Sequence, residues 1–355
     1  MSRSEASVTI AIDAMGCDNG PKEVLSGVAS ALENINADVQ YILVGDESQL
    51  SPLVRDTPIF DGRARIHHAS EVIGMDEKPV ASLKAKKDSS LVRALELVRE
   101  DEADAVLSCG NTGSLMAGGT IKLRTLDGID RPALATIWPG TKRHFVLLDV
   151  GANPASKSIH LLHNAVLGAN YARVVLGIDN PKVGLLSIGT EEGKGNELIQ
   201  ESHHLLKQMH GLLNYQGLIE GFQMFENKVD VVVCDGFVGN VVLKACESMC
   251  KMIGSFLDEE LRRNALRKTG ALLSKGAFKG LKQRINPEHL GGAPLLGLKK
   301  LVVKAHGSSN RHQIEGAIGI TLDIVRKDMI ARTLQDAREA IELLQPIDLA
   351  LRTNA

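Results

Sequence analysis

Short apolar, β-branched runs recur along the chain. Each leads into a turn rich in glycine, asparagine or aspartate, and then into apolar residues at helical spacing. The run at 8–12 is the first predicted strand, and it passes through Gly16-Cys17-Asp18-Asn19-Gly20 into a helix predicted from Pro21, a favoured first-turn residue. Further strands are predicted at 39–44, 105–108, 145–148, 183–188, 229–234 and 301–303. The turns that follow carry Cys109-Gly110-Asn111-Thr112-Gly113-Ser114, Asp149-Val150-Gly151-Ala152-Asn153, Gly189-Thr190-Glu191-Glu192-Gly193-Lys194-Gly195-Asn196, Asp235-Gly236-Phe237-Val238-Gly239-Asn240 and His306-Gly307-Ser308-Ser309-Asn310. Strand, turn and helix in alternation predict an α/β fold with a mainly parallel sheet covered by helices on both faces. Ligands of such sheets bind at the carboxyl ends of strands, where these turns fall.

One segment breaks the alternation. From 261 to 287 there are eight bases and no acid, with Leu261, Ala265, Leu266, Leu272, Leu273, Phe278, Leu281 and Ile285 recurring among them at roughly helical spacing. It predicts a protruding amphipathic helical hairpin that bends near 270–280. No repeat or proline-rich linker divides the chain, so residues 1–355 are expected to form a single α/β catalytic domain with a basic excursion at about 247–290. Arg262, Arg263, Leu272, Leu273, Lys275, Phe278 and Lys279 are its candidate contacts, for an anionic membrane surface, an acidic carrier protein or a dimer partner.

Composition narrows the function. A net charge of −2, with one Trp, three Tyr and seven Phe, argues against a nucleic-acid binder. The five cysteines (Cys17, Cys109, Cys234, Cys246, Cys250) contain no CxxC pair and read as reduced thiols. With no apolar signal core in the first residues and no run of about 18 apolar residues, a cytoplasmic protein is expected.

Glycine-rich turns at helix starts present backbone N–H groups to anions, although any single turn could equally be a structural bend. The usual nucleotide signatures are missing. Ile188 stands where a P-loop needs glycine, Gly195 follows Lys194 where Ser or Thr is required, and Leu198 closes a failed GxGxxG. There is no GxSxG elbow and no HExxH, so neither a serine acyl-enzyme, a metal nor a cofactor is expected. Lys194, Asn240 and His306 are the candidate catalytic groups. Structural readings stand beside them: a solvated loop lysine for Lys194, a capping histidine for His306 and, for Asp13 at the end of the first strand, a cap of the turn that follows.

These motifs, with Ile10-Ala11-Ile12-Asp13-Ala14-Met15-Gly16 and Gly291-Gly292-Ala293-Pro294-Leu295-Leu296-Gly297, occur in order from near residue 10 to past 310. In this the chain resembles the bacterial phosphate acyltransferases, with Cys17 standing where that pattern has glycine. The resemblance implies transfer of a long-chain fatty acyl group from acyl-carrier protein to inorganic phosphate, giving an acyl phosphate for phospholipid synthesis. It further implies an αβα sandwich with a Rossmann-like sheet, a homodimer, contact with the inner face of the cell membrane, and a membrane-associated glycerol-3-phosphate acyltransferase downstream. The alternatives are a phosphotransacetylase-like enzyme using acyl-coenzyme A and a non-catalytic scaffold at the membrane surface.

Phosphate needs positioning more than deprotonation, and a thiolate is a good leaving group, so direct attack in an anion cradle with no covalent enzyme intermediate is expected. Asp13, Gly16, Asn111, Thr112, Gly113, Ser114, Asn153, Gly193, Gly195, Asn196, Asp235, Gly239 and Ser308 are the expected substrate-binding set. Lys194 is expected to neutralise charge, Asn240 to stabilise the tetrahedral oxygen, and His306 to orient phosphate or assist the thiolate.

Overall fold

The computed structural model describes residues 7–35, 38–285 and 291–353. The end of the basic stretch, including Pro287, and the side chains of Lys282 and Ile285 lie outside what is described. Eleven strands form one sheet: β1 (Val8–Asp13), β2 (Val39–Gly45), β3 (Ala64–His68), β4 (Ala105–Ser108), β5 (Ala133–Pro139), β6 (His144–Leu148), β7 (Lys182–Leu186), β8 (Asn214–Ile219), β9 (Val231–Val233), β10 (Gly292–Leu296) and β11 (Leu301–Ala305). Their order is β3-β2-β1-β4-β11-β10-β5-β6-β9-β7-β8.

The first five strands are mutually parallel, and so are the last four. Between these blocks β10 is antiparallel to both β11 and β5, and β5 is antiparallel to β6. Three reversals make the two parallel blocks run in opposite directions. The mainly parallel sheet expected from the sequence is therefore two parallel half-sheets, head to tail, in one α/β fold.

Burial on both faces explains the apolar runs. Ile10, Ile12, Leu107 and Val303 face one core cluster, while Ala11, Val106 and Val302 face the other. Thirteen α-helices are described: α1 (Gly20–Asn34), α2 (Glu47–Arg55), α3 (Pro79–Ala85), α4 (Ser90–Arg99), α5 (Thr112–Leu123), α6 (Ser158–Tyr171), α7 (Glu197–Lys207), α8 (Gly221–Phe225), α9 (Gly236–Arg262), α10 (Ala265–Leu273), α11 (Lys275–Ile285), α12 (Arg311–Arg326) and α13 (Met329–Thr353). The first starts at Gly20, one residue before the expected Pro21, with Asn19 at its N-cap. Helix α6 is apolar on nearly every side and buries all residues from His160 to Tyr171.

Helix α9 behaves differently. Its 27 residues bury only Gly236 and Gly239, and α10 buries none. The chain bends at Ser274, within the expected 270–280, and also at Arg263-Asn264, where Asn264 caps α10. None of the helices, over the described residues, is long and apolar enough to cross a membrane.

Candidate active site

Strand register builds the centre of the site. Asp13 of β1 pairs with Ser108 of β4, and Ser108 with Lys304 of β11, so the three stand side by side in one row and on one face. All are buried, at 2%, 1% and 9% exposure. The Ser108 hydroxyl donates to Asp13 Oδ2 (2.6 Å) and accepts from the Gly110 N–H (3.0 Å). Lys304 Nζ donates to the Cys109 carbonyl (2.9 Å) and to that of Ala305. Burial draws the Lys304 ammonium below its usual range, and Cys109 and Asp13 oppose the shift.

Three loops meet above this row. A Cβ on Gly16 would lie 2.6 Å from the Gly110 nitrogen, so only glycine allows the β1 and β4 turns to touch. Cys17 Sγ donates to the Gly307 carbonyl (3.3 Å), and the Asp18 N–H donates to the same oxygen (2.9 Å), tying in the β11 turn. Cys17 also contacts Cys109. That contact lowers the pKa of Cys17 and, together with burial, raises that of Cys109.

Backbone donors decide which turn can take an anion, and at the Asp149 turn and the start of α9 they are already occupied. The Asp149 carboxylate folds back on its own turn and accepts from the N–H groups of Leu134, Gly151, Ala152 and Asn153 at 2.7–3.1 Å. Burial raises its pKa and these bonds oppose the rise. Asp235 caps α9 through Phe237 and Val238, and Asn196 caps α7 through Ile199.

Asn111 caps α5 through Ser114 (2.9 Å), and its amide donates to the carbonyls of Gly74, Met75 and Glu77. The side chain is fully engaged in architecture, but the Thr112 and Gly113 N–H groups have no partner among the described residues. They end a twelve-residue helix whose dipole adds positive potential there.

His306 follows β11 directly, two residues past Lys304, and stands exposed. Its Nδ1 receives the Ser308 N–H (3.3 Å) and lies 2.9 Å from Ser308 Oγ. An N–H can only donate, so Nδ1 is the acceptor and the proton resides on Nε2. Partial burial, then the charges of Lys244 and Lys304, lower the His306 pKa and so favour the neutral ring. Lys244 and Lys251 of α9 belong to the field at His306, together with Glu247.

The structure sorts the expected residues into groups. Asp13, Gly16, Asn111, Thr112, Gly113, Ser114, His306 and Ser308 gather around the β1, β4 and β11 turns, with Ser114 buried against Ser82 (3.2 Å). Asn153, Asp235, Gly239 and Asn240 gather where α9 meets the Asp149 turn: a Cβ on Gly151 would lie 3.6 Å from Asn240, and one on Gly236 2.8 Å from the Asn153 backbone. Gly193, Lys194, Gly195 and Asn196 form a third, exposed loop in which Lys194 packs over Gly189.

On the excursion Leu272 and Leu273 are exposed, as are Lys275 and Lys279, and Phe278 is half-buried. Arg262 pairs with Asp258 and Arg263 with Glu260, acids contributed by α9 itself. Sequence reasoning missed Lys304, Ser108 and the α9 lysines. The signal for Lys304 was a lysine inside a β-branched strand, two residues before a histidine–glycine turn.

A family model described as fatty acid synthesis protein matches residues 8–332. A phosphate acyltransferase of Thermoanaerobacterium thermosaccharolyticum is 45% identical over 322 residues, covering 91% of this chain and 94% of that one. Another, of Beijerinckia indica, is 40% identical over 346 residues, covering 97% and 88%. Among solved structures, a phosphotransacetylase from Streptococcus pyogenes has a TM-score of 0.60 at 16% identity, covering 90% of this chain and 94% of that one. A branched-chain phosphotransacylase from Enterococcus faecalis has a TM-score of 0.56 at 16% identity, covering 90% and 99%. These two likenesses concern the fold. With the family model spanning most of the chain and relatives above 40% identity over nine-tenths of it, the chain belongs to the phosphate acyltransferase family and is an enzyme of that class.

Proposed function

We propose that this enzyme moves a long-chain fatty acyl group from the thioester of acyl-carrier protein to inorganic phosphate. The observation that carries the reading is the start of α5, where two unpartnered N–H groups follow a turn whose Cys109 carbonyl is held by the buried Lys304 ammonium. A phosphate held there needs no base. One of its oxygens attacks the thioester carbon, the tetrahedral adduct expels the thiolate, and acyl phosphate leaves, with no bond to the protein.

Nε2–H of His306 donates to phosphate or to the departing sulfur. Asn240, one turn from Lys244 on α9, stabilises the tetrahedral oxygen, and Lys194 neutralises charge from the exposed loop. Met75 and Val80, apolar and 44% and 50% exposed beside the anion turn, offer a wall for the acyl chain.

The product serves a membrane-associated glycerol-3-phosphate acyltransferase. Residues Leu272, Leu273 and Phe278, with Lys275 and Lys279, lay α10 and α11 on an anionic inner membrane surface. The exposed stripe Val241, Met249, Met252, Ile253 and Phe256 of α9 supports a homodimer through that helix.

A palmitoyl thioester on carrier protein, mixed with enzyme and phosphate, is expected to give one thiol and one hydroxylamine-trappable acyl group per turnover. Turnover should be slower with palmitoyl-coenzyme A. A higher rate with the coenzyme favours the phosphotransacetylase-like alternative, and no thiol release under either condition favours a scaffold. The Ser308–His306 contact supports a second reading, an acyl-serine. One equivalent of thiol released per protomer without phosphate would establish it and overturn direct attack. Leu272→Glu is expected to abolish flotation with vesicles containing phosphatidylglycerol, and unchanged flotation rejects insertion.

A further inference from the structure

We propose that Lys304 is a positioning residue for the phosphate nucleophile. It aims the donors at the start of α5 and, from below, balances a carboxylate that would otherwise repel the anion. The inference rests on the functional reading above and deepens it.

The Cys109–Gly110 peptide unit, which ends two residues before α5 begins at Thr112, is clamped at both ends. Lys304 Nζ holds its carbonyl at 2.9 Å, and Ser108 Oγ holds its N–H at 3.0 Å. Asp13 holds Ser108 in turn, at 2.6 Å. Peptide planes are rigid, so fixing this one sets the direction from which Asn111, Thr112 and Gly113 enter the helix. A neutral side chain could fill the same space, yet the site buries a cation to 9% exposure, a costly choice unless its charge is used.

Asp13, in the same cross-strand row, supplies the opposite charge and is itself 2% exposed. Deprived of Lys304, the Asp13 carboxylate would stand uncompensated under the phosphate position. A dianion would then meet repulsion in a low-dielectric setting.

Steady-state kinetics of Lys304→Met, Asp13→Asn/Lys304→Met and Ser108→Ala test the proposal, each with its fold checked by circular dichroism and urea unfolding. Lys304→Met is expected to raise KM for phosphate at least tenfold while KM for the acyl thioester stays within twofold. The double variant, neutral at both positions, is expected to recover phosphate KM at least threefold relative to Lys304→Met. Ser108→Ala, which keeps both charges and loses the N–H clamp, is expected to raise phosphate KM three- to tenfold, and it carries the test should the lysine variants not fold. A purely structural lysine predicts instead a fall in kcat that leaves both KM values alone, and a double variant worse than the single. Either result overturns the proposal. Wild-type enzyme serves as the separate control: if it releases no thiol in response to phosphate, the functional reading fails. If it does so and no variant shifts phosphate KM, only the role of Lys304 fails.

Discussion

Two glycines of α9 should respond in opposite senses to one added methyl group. At Gly239 a Cβ would lie 1.9 Å from the Asp149 carbonyl oxygen, 2.9 Å from its carbonyl carbon and 2.9 Å from Cys234 Sγ. Against an ordinary C···O approach of about 3.3 Å, helix and turn must separate by roughly 1.4 Å. The turn cannot yield easily, because the Asp149 carboxylate is held by four N–H groups and its own N–H donates to Cys234. Overpacking of that kind costs about 1–3 kcal/mol or somewhat more, from which up to about 1 kcal/mol of helix propensity is recovered.

Gly254, on the same helix, has nothing within 4 Å, so Gly254→Ala keeps the propensity gain and adds about 0.5–1 kcal/mol of stability. The propensity gain is common to both, so urea unfolding should separate the two variants by the overpacking cost, about 1–3 kcal/mol. Turnover separates them further, because Asn240 follows Gly239 directly, and a shift of about 1 Å in a positioning group costs on the order of 100-fold. Equal stability of Gly239→Ala and Gly254→Ala would refute the close packing of α9 on the Asp149 turn.

Burial holds the pKa of His163 at about 4, against an ordinary value of 6.5. The unfolded chain therefore binds that proton first on acidification. Stability is intact above pH 6.5 and falls between 6.5 and 4, by about 3 kcal/mol in total. Urea midpoints at pH 7, 5 and 4 should show this slope, and His163→Gln should flatten it; an unchanged slope assigns the acid sensitivity elsewhere. Asn111→Ala removes the α5 cap and three bonds to the segment Gly74–Glu77, at a cost of about 2–4 kcal/mol. Limited proteolysis should then cut first near residue 75, and wild-type resistance there would contradict the strap. Cys17 ionises before an ordinary thiol because of its contact with Cys109. Thiolate absorbance near 240 nm should show one early step on raising pH, lost in Cys17→Ser; a step that survives belongs to another cysteine.

The strands that could be read directly were those buried on both faces. Ala105–Ser108 matches its predicted bounds, and β1 extends only one residue beyond the expected run. Four strands escaped notice for different reasons. β10 opens with Gly292 and carries Pro294, both poor strand formers, whereas β3, with two histidines and an arginine, is a half-exposed edge. β5 and β8 are bordered by single glycines (Gly140, Gly211, Gly221) rather than by the longer glycine-rich turns that marked most of the others. The sheet reversal was invisible because periodicity reports which residues are buried, not the direction of the neighbouring strand.

The glycine turns of the site were legible, but their occupancy was not. An aspartate at the head of a turn looks the same in sequence whether it binds a ligand's donors or fills the cradle itself. Asp149 fills it, with one of its four donors coming from Leu134 on another strand. Lys304 was hidden because the predicted strand stopped at Val303.

The reversal also explains why one long helix matters to the chemistry. In a wholly parallel sheet every β-to-α turn lies along one edge, and the turns after β1, β4, β6, β9 and β11 would line a common crevice. Here the turns after β6 and β9 leave by the edge opposite to those after β1, β4 and β11. What reconnects them is α9, capped by Asp235 beside the Asp149 turn, carrying Asn240 in its first two turns and Lys244 one turn later. The charges of Lys244 and Lys251 then reach His306 across the sheet. Over 27 residues such a helix extends about 40 Å, from the sheet to the basic segment at its far end. Its first turns pack on the Asp149 turn, and its second half stands clear of the core. The bend at Arg263-Asn264 then separates it from α10 and α11, so those two helices can be oriented independently of the placement of Asn240 and Lys244.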